Sequence, residues 1–332
     1  MLIRMSDKRL WIGMGISLFF LFLLFRKIDY GQLATAFREV DIKYLIAAVL
    51  TTFASFYFRA LRWEYLLMPL KKCPTATVFS ATMIGLMVNG LFPARLGELA
   101  RTYVLAEREN LDKSSVFASV VIDRLTDVLS LLLLLILTLF ILDLPDGSIK
   151  DRQTLVTGGY VTLLTLLMVV AFLVALKVFK KRSPAVGSRL IKRLPPQLAE
   201  KANDLVNSFF QGIGLPPKSE HYLWITGASI AAWAFSIIPV DMVLRSFGIN
   251  IPISASMFTL VILAFAVMVP ATPGYIGTYH YACFAALGVF NVPQGKALGV
   301  ALVMHAVSFL PVIVIGFVCL WTVGLSLKEF RH

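Results

Sequence analysis

The sequence has few charged residues, and few acidic ones in particular, and these shortages exclude several classes of protein. Only 15% of its 332 residues are charged, with 19 acidic side chains against 31 basic ones. A soluble protein of this length would expose far more polar surface. Because 58% of the residues are hydrophobic and the mean hydropathy is +0.80, the composition predicts an all-α, polytopic membrane protein.

Cysteines and catalytic motifs are also scarce. The three cysteines, Cys73, Cys283 and Cys319, are far apart in the sequence and form no CxxC pair, so we expect small, buried, apolar side chains. The sequence contains no HExxH, no GxSxG, no Walker loop and no clustered His and Asp ligands. We therefore expect no catalytic residue, no metal, no cofactor and no enzymatic activity.

The net charge of +12 comes from basic residues scattered between apolar segments. This pattern favours cytoplasmic loops that contact anionic lipid, and it argues against nucleic-acid binding. The N-terminus combines a basic start with an apolar core but lacks a small-x-small cleavage site. We interpret it as a retained membrane helix and not as a signal peptide.

Hydrophobic segments account for most of the chain, which we interpret as one integral membrane domain over residues 1–332. A basic, polar connection at 180–221 contains an amphipathic helix pattern bounded by prolines, and we expect that helix at the membrane surface. The eight hydrophobic segments cover residues 10–25, 44–67, 76–92, 115–142, 155–179, 222–247, 254–269 and 297–325.

The distribution of basic residues tests the topology of these segments. If all eight cross the membrane from a cytoplasmic N-terminus, most lysines and arginines lie outside, against the positive-inside rule. If the third and seventh segments are re-entrant, most lie inside and both termini are cytoplasmic. The reversed eight-span arrangement also keeps the long basic connection inside but translocates the basic N-terminus, so charge alone leaves both arrangements open.

The re-entrant arrangement implies an inverted repeat. Residues 1–142 and 155–325 each contain three full spans and one broken segment, so the two halves have opposite orientations. Paired breaks of this kind indicate the binding site of a transporter. Non-helical backbone at membrane depth is tolerated only inside protein or beside a water-filled cavity, so we expect a polar cavity between the two breaks.

The first break lies in "NGLFPARLGELARTYVL". Pro93 ends the descending helix, and Asn89 can satisfy backbone groups that the break frees. The N-terminus of the returning helix would favour an anionic head group beside Arg95 and Arg101. Glu98 shares a helix face with Arg101 and is expected to pair with it. The alternative is an ordinary cytoplasmic loop at the lipid surface.

The second break lies in "PATPGYIGTYH". Pro270, Pro273, Gly274 and Gly277 together cannot continue a helix. His280 follows them and is a candidate polar gate or titrating group. The alternative is an ordinary extracellular loop.

Charged residues inside apolar segments need partners, because a charge at mid-bilayer costs about 2.5–3.5 kcal/mol. Asp123 and Asp127 share one helix face, whereas Arg124 is expected to point elsewhere. We expect one of the aspartates to pair with a basic residue of another segment. The candidate partners are Arg59, Arg62 and Arg101. For Arg62, snorkelling to the cytoplasmic surface is the open alternative.

Two other polar features suggest structural roles. Asp241 and Arg245 are one helical turn apart and are expected to neutralise each other. His305 has no polar neighbour in the sequence, and we expect a packing histidine with satisfied hydrogen bonds.

The motifs together resemble the membrane domain of the lysyl-phosphatidylglycerol synthase family, the flippase-like proteins. The resemblance rests on the two breaks, on "RALRWEYLL" and on "DRLTD", in the same order over nearly the whole chain. The chain departs from the family pattern at Tyr275, where the family has glycine, and at His280, where it has glutamate. It also has Asp123–Arg124 where the family has Glu-Arg.

The resemblance implies a lipid flippase of the prokaryotic cytoplasmic membrane. Its partners would be membrane lipids, either anionic or aminoacylated phospholipid or isoprenoid- and glycan-linked lipid, and a homo-oligomer is left open. Without the soluble aminoacyl-transfer domain of those synthases, the chain is not expected to make aminoacyl lipid. The alternatives are a membrane-embedded enzyme acting on a lipid-linked sugar or phosphate, and a small-anion secondary transporter. The candidate substrate-binding residues are Arg59, Arg62, Asn89, Pro93, Arg95, Gly97, Glu98, Arg101, Asp123, Arg124, Pro270, Pro273, Gly274, Gly277 and His280.

Overall fold

The computed structural model describes residues 40–92, 96–142, 218–268 and 273–323, with a few isolated positions between them. These residues form helices and connecting turns, with no strand among them. The predicted all-α membrane helix bundle is confirmed. The helices are α1 (Ile42–Leu67), α2 (Thr75–Leu91), α3 (Gly97–Glu109), α4 (Lys113–Ile141), α5 (Ser219–Ser246), α6 (Ile253–Met268), α7 (Thr278–Gly288) and α8 (Gln294–Val323), with a 3₁₀ turn at Pro273–Tyr275 before α7.

The same order of helix lengths, long, short, short and long, occurs twice along the chain. The first series has 26, 17, 13 and 29 residues in α1 to α4. The second has 28, 16, 11 and 30 residues in α5 to α8. The four long helices are long and apolar enough to cross a membrane. Each series therefore consists of two long helices with a pair of short ones between them in sequence.

Local sequence signals explain where the first series begins and turns. Asp41 caps α1 by accepting a hydrogen bond from the Lys43 backbone N–H at 2.9 Å. Asp112 caps α4 in the same way, accepting from the Ser115 N–H at 2.9 Å. At the end of α3, Asn110 adopts a left-handed conformation with φ 52°. Side-chain caps and left-handed residues of this kind satisfy the free backbone groups at helix ends.

Packing between the two series is reciprocal. The first helices, α1 and α5, lie along each other, with the Phe58 and Phe235 rings stacked at 5.4 Å and the Ser55 and Ser236 hydroxyls 2.7 Å apart. The last helix of each series packs on the first short helix of the other, α8 on α2 and α4 on α6. This is the arrangement expected of two related halves.

The two short helices of the first series approach each other closely. A Cβ atom on Gly97 would collide with the Gly85 carbonyl oxygen, and one on Gly85 would lie 2.9 Å from the Arg101 Cβ. Only glycine fits so close to a neighbouring backbone. Gly97 therefore sets the geometry of this hairpin.

Some predicted elements lie outside the described residues. These are the segments 10–25 and 155–179, apart from isolated positions in the latter, and most of the connection 180–221. Two described residues of that connection, Ser208 and Gly212, lie against the start of α4. The Ser115 hydroxyl donates to the Ser208 carbonyl at 2.7 Å, and a Cβ on Gly212 would collide with the Ser115 carbonyl.

Candidate functional site

A cluster of charged side chains lies where α1, α3 and α4 meet. It contains more arginines than carboxylates, and several of its members are almost completely buried. The members are Arg59 and Arg62 on α1, Glu98 and Arg101 on α3, and Asp123, Arg124 and Asp127 on α4. We call this set the arginine cluster.

Asp123 lies at the centre of the arginine cluster and is 1% exposed. It accepts hydrogen bonds from Arg62 Nε at 2.9 Å and Nη2 at 2.7 Å. On its other oxygen it accepts from Arg101 Nη2 at 2.9 Å. The predicted pairing of this aspartate with a basic residue of another segment is confirmed, and two segments supply partners.

Asp127, one turn further along α4, binds the two arginines of α1. It accepts from Arg59 Nη1 at 2.7 Å and from Arg62 Nη1 at 2.9 Å. The Arg62 side chain is fully buried, so the snorkelling alternative is wrong. The expectation that Arg124 points elsewhere is also wrong. Its long side chain reaches both carboxylates of its own helix, with Nη1 3.3 Å from Asp127 and Nη2 3.5 Å from Asp123.

Glu98 does not form the predicted pair with Arg101. The Arg101 guanidinium is turned toward Asp123 and lies over the Trp63 ring at 4.6 Å. Glu98 accepts instead from Asn89 Nδ2 at 3.2 Å and lies 3.8 Å from Arg124 Nε. No ion pair joins Glu98 to Arg101 within the described ranges.

Asn89, near the end of α2, connects the two helices on either side of the first break. Its Oδ1 accepts from the backbone N–H of Gly97 at 2.8 Å, so the expected satisfaction of a freed backbone group is confirmed. One amide side chain thus holds the last turn of α2, the start of α3 and the Glu98 carboxylate together.

Two tryptophans, which the sequence analysis did not assign, hold arginines in place. Arg101 lies over Trp63, as described, and Arg59 lies 5.0 Å from the ring centre of Trp233. Trp63 is fixed in turn because its Nε1 donates to the Ser119 hydroxyl at 3.1 Å. Trp63 follows Arg62 directly in the sequence, but no sequence pattern links Trp233, on α5, to the cluster.

Part of the hydrogen-bonding capacity of the arginine cluster is unused. The Nε atoms of Arg101 and Arg124 are buried and have no hydrogen-bond partner in the part of the chain that the structure describes. The four arginines face three carboxylates, so the cluster carries excess positive charge. Buried donors without partners are costly. An anion in contact with the cluster would offset its excess positive charge.

A cavity of about 790 Å³ adjoins the arginine cluster and is lined by residues of both series of helices. Among the described residues, the first series supplies all the charged lining residues, and the second contributes mainly apolar ones together with a few hydroxyls. The expected polar cavity is therefore polar on one wall and largely apolar on the other. The charged lining residues are Arg59, Glu98, Arg101, Arg124 and Asp127, and the apolar ones of the second series include Val240, Leu260, Leu263, Val267, Met268, Met304 and Phe309.

The second break forms a tight turn with left-handed backbone. Gly274, Tyr275 and Gly277 have φ angles of 70°, 54° and 93°. The Gly277 N–H donates to His280 Nδ1 at 3.3 Å. His305 Nε2 lies 2.6 Å from the Gly274 carbonyl oxygen. That carbonyl can only accept, so the His305 nitrogen donates.

His305 therefore has a more specific role than the packing histidine expected from the sequence. Its ring centre lies 4.6 Å from that of His280 and 4.5 Å from that of Phe309. It bridges α8 to the turn that precedes α7. Tyr275, the residue that stands in place of the family glycine, is buried and packs against Phe309 at 5.6 Å.

The two breaks contact each other. The 3₁₀ turn packs on α2, and a Cβ atom on Gly274 would lie 3.7 Å from the Gly90 carbonyl oxygen. Pro273 begins this turn. Three predicted site residues, Pro93, Arg95 and Pro270, lie outside the described residues.

Other predicted features have clear outcomes. Arg245 Nε lies 2.6 Å from an Asp241 oxygen, so the expected neutralisation is confirmed. The three cysteines are buried, as predicted, and burial raises the pKa of the Cys73 thiol, between α1 and α2, to about 11. No three His, Cys, Asp or Glu side chains of the described ranges are grouped to hold a metal ion.

Comparison with known proteins gives a consistent result. The family described as the lysylphosphatidylglycerol synthase TM region matches residues 10–316. The chain is 23% identical to a UPF0104 membrane protein of Methanothermobacter thermautotrophicus over 90% of this chain and 91% of that protein. It is 21% identical to the UPF0104 membrane protein MJ1078 of Methanocaldococcus jannaschii, over 74% and 99%. It is 25% identical to the glycosyltransferase AglD of Haloferax volcanii, over 95% of this chain and 54% of that protein.

Proposed function

We propose that this multi-pass membrane protein, which belongs to the family of the lysylphosphatidylglycerol synthase transmembrane region, moves a lipid with an anionic head group between leaflets. The head group would enter the cavity lined by both series of helices while the acyl or isoprenoid chains stay in the bilayer. We further propose a prokaryotic cytoplasmic membrane, as the family resemblance implies, with both termini in the cytoplasm, as the re-entrant arrangement requires.

The observation that carries this proposal is the excess positive charge on one wall of the cavity. Arg59, Arg101 and Arg124 all line it, and the four arginines of the cluster face only three carboxylates. Planar guanidinium groups match the oxygens of a phosphate and bind them through paired hydrogen bonds. A phosphodiester head group is thus the ligand that best completes the site.

The lengths of the short helices support re-entrant hairpins. At 1.5 Å per residue, the 17 residues of α2 extend about 26 Å and the 16 of α6 about 24 Å. The 13 residues of α3 and the 11 of α7 extend about 20 Å and about 17 Å. All are shorter than a hydrocarbon core of about 30 Å. Arms of these lengths suit hairpins that return to the side from which they entered.

The apolar wall favours a lipid over a small soluble anion. Side chains such as Leu260, Leu263 and Val267 line the cavity opposite the arginines. A hydrated anion gains nothing from such a surface, whereas the glycerol ester and the first methylene groups of a lipid are stabilised by it. The small-anion transporter is therefore the weaker alternative.

A membrane-embedded enzyme is also a weaker alternative than a lipid transporter. Among the described lining residues, the only carboxylates are Glu98 and Asp127, and both are engaged with arginines, so neither is free to act as a general acid or base. The name of the relative AglD describes a glycosyltransferase, but this chain matches only 54% of that protein. We accordingly propose transport without covalent chemistry.

A reconstituted flipping assay tests the proposal. Proteoliposomes would carry trace lipids labelled with NBD on an acyl chain, so that the head groups stay intact, and dithionite would bleach the outer leaflet. We expect phosphatidylglycerol to flip faster than phosphatidylcholine, and vesicles with entrapped buffer to take up no soluble glycerol phosphate. Uptake of glycerol phosphate without lipid movement would replace the proposal with the small-anion transporter.

A further inference from the structure

The cavity wall opposite the arginine cluster carries a pair of hydroxyl groups. Tyr279 on α7 and Ser308 on α8 both line the cavity, and their oxygens lie 3.3 Å apart. Tyr279 is only 5% exposed. Its ring packs at a steep angle to the rings of Phe309, at 5.6 Å, and His305, at 5.4 Å, which restricts the position of its hydroxyl.

This hydroxyl pair has unused hydrogen-bonding capacity. Two hydroxyl groups offer two O–H donors, but only one hydrogen bond joins them. Whichever oxygen donates, the other O–H has no acceptor within the part of the chain that the structure describes, and both oxygens can still accept. A buried hydroxyl with a free donor is a site for a polar ligand group that both donates and accepts.

The acidic side chains of the cavity point to the same kind of ligand. A cationic head group needs a carboxylate that is not already neutralised. Among the described lining residues, only Glu98 and Asp127 are acidic. Asp127 is bound by Arg59 and Arg62, and Glu98 lies beside Arg124. An ammonium group would therefore meet the excess positive charge of the arginine cluster.

We infer that the cavity selects an anionic lipid whose head group ends in uncharged hydroxyls, a polyol or sugar phosphate, and disfavours aminoacylated lipids. The phosphate contacts the arginines that line the cavity, and the head-group hydroxyls exchange hydrogen bonds with Tyr279 and Ser308. This inference rests on the proposed function, because it names the substrate class of the same cavity.

Three lipids that differ only in the head group test the inference in the flipping assay, each with NBD on an acyl chain. Phosphatidylglycerol carries a phosphodiester and two hydroxyls. Phosphatidylethanol carries the same charge and no head-group hydroxyl, and lysyl-phosphatidylglycerol carries a net positive charge. We expect the wild-type protein to flip phosphatidylglycerol about fivefold faster than phosphatidylethanol, the discrimination of about one net hydrogen bond, and lysyl-phosphatidylglycerol most slowly.

Variants of the hydroxyl pair assign the preference to these residues. In the Tyr279→Phe/Ser308→Ala double variant, we expect the ratio of the phosphatidylglycerol rate to the phosphatidylethanol rate to fall to about one. Ser308→Thr retains a hydroxyl and should keep most of the preference. Because a ratio is measured within one preparation, partial loss of folded protein does not mimic the result.

The outcomes separate this inference from the proposed function. If none of the three lipids moves faster than in protein-free vesicles, the proposed function fails and the inference fails with it. If lipids move but lysyl-phosphatidylglycerol is as fast as phosphatidylglycerol, or the two anionic lipids move equally fast, the proposed function stands and the inference is overturned. A preference that persists in the double variant overturns the role of Tyr279 and Ser308.

Discussion

Arg62 and Asp123 form a buried ion pair in which one guanidinium donates to one carboxylate oxygen through Nε at 2.9 Å and Nη2 at 2.7 Å. The pair joins α1 to α4, and neither side chain is more than 2% exposed. A buried pair with this geometry offsets the desolvation of both charges, whereas removing one partner leaves the other buried and uncompensated. The arginine cluster is therefore built around this contact.

Neutralising the central carboxylate should destabilise the fold. In Asp123→Asn, Arg62 and Arg101 lose their common counter-charge, and we expect a loss of about 3–5 kcal/mol in the free energy of unfolding. Thermal unfolding in detergent measures the change. Glu107→Gln, at an exposed position of α3, is the matched control and should stay within about 0.5 kcal/mol of wild type. An Asp123→Asn protein as stable as this control would show that the central charge is dispensable.

The close approach within the first hairpin gives a second prediction. Gly97→Ala places a methyl group against the Gly85 backbone, which cannot move aside as a flexible side chain can. We expect a loss of at least about 1–3 kcal/mol. Gly227→Ala on α5 meets no atom within 4 Å and should be neutral or slightly stabilising, since alanine favours helix. Equal melting temperatures for the two variants would contradict the close packing of α2 on α3.

Tyr275 tests two opposing effects at the second break. Its φ of 54° costs about 1–2 kcal/mol for a side chain other than glycine. Its buried ring contributes more, because deleting a buried aromatic side chain costs about 3–5 kcal/mol. We therefore expect Tyr275→Gly to destabilise the protein although it restores the glycine of the family pattern. A stabilised variant would mean that backbone strain outweighs the packing on Phe309.

The hydrogen bond from His305 to the Gly274 carbonyl needs an N–H donor at position 305, but it does not need a positive charge there. His305→Phe removes the hydrogen bond to the Gly274 carbonyl, and we expect faster hydrogen exchange of the backbone amides at 274–280. His305→Gln can still donate from its amide and should protect the turn better than phenylalanine does. If the two variants exchange at the same rate, the bridge does not hold the turn.

Single cysteines can test the re-entrant hairpins. The background is low because the native cysteines are buried and the raised pKa of Cys73, about 11, leaves little thiolate at neutral pH. Re-entrant hairpins place Lys72→Cys and Arg108→Cys on one side of the membrane and Asn250→Cys and Gln294→Cys on the other. Impermeant maleimide added to intact and opened vesicles distinguishes the sides. Labelling of Lys72→Cys and Arg108→Cys from opposite sides would mean that the first hairpin crosses the bilayer.

The sequence predicts the charged part of the site better than its surroundings. Asp123 and Asp127 needed oppositely charged partners, because unpaired charges in apolar segments are costly. The arginines that bind them were among the candidates that the sequence offered. The contacts of Arg124 were missed because helical spacing describes where a side chain starts and not how far it reaches. Trp233 was missed because an aromatic residue on a membrane helix has no distinguishing pattern.

The second half of the site shows a similar limit. Glycines and prolines mark the break before α7, so its position follows from the sequence. The bond from His305 to Gly274 joins residues 31 positions apart, and no local pattern reveals it. The apolar wall of the cavity was not predicted either, because the residues that line a cavity and those that face lipid have the same composition in a membrane helix.

Flipping by Arg101→Ala compared with Arg108→Ala tests the central claim most directly. Both arginines lie on α3, but only Arg101 is buried at the cavity, whereas Arg108 is exposed. At equal amounts of reconstituted, folded protein, we predict that Arg101→Ala loses flipping of acyl-labelled phosphatidylglycerol at least about tenfold, the loss of one charged hydrogen-bond donor, while Arg108→Ala matches wild type. Equal flipping by the two variants would contradict the claim that the arginine cluster binds the lipid head group.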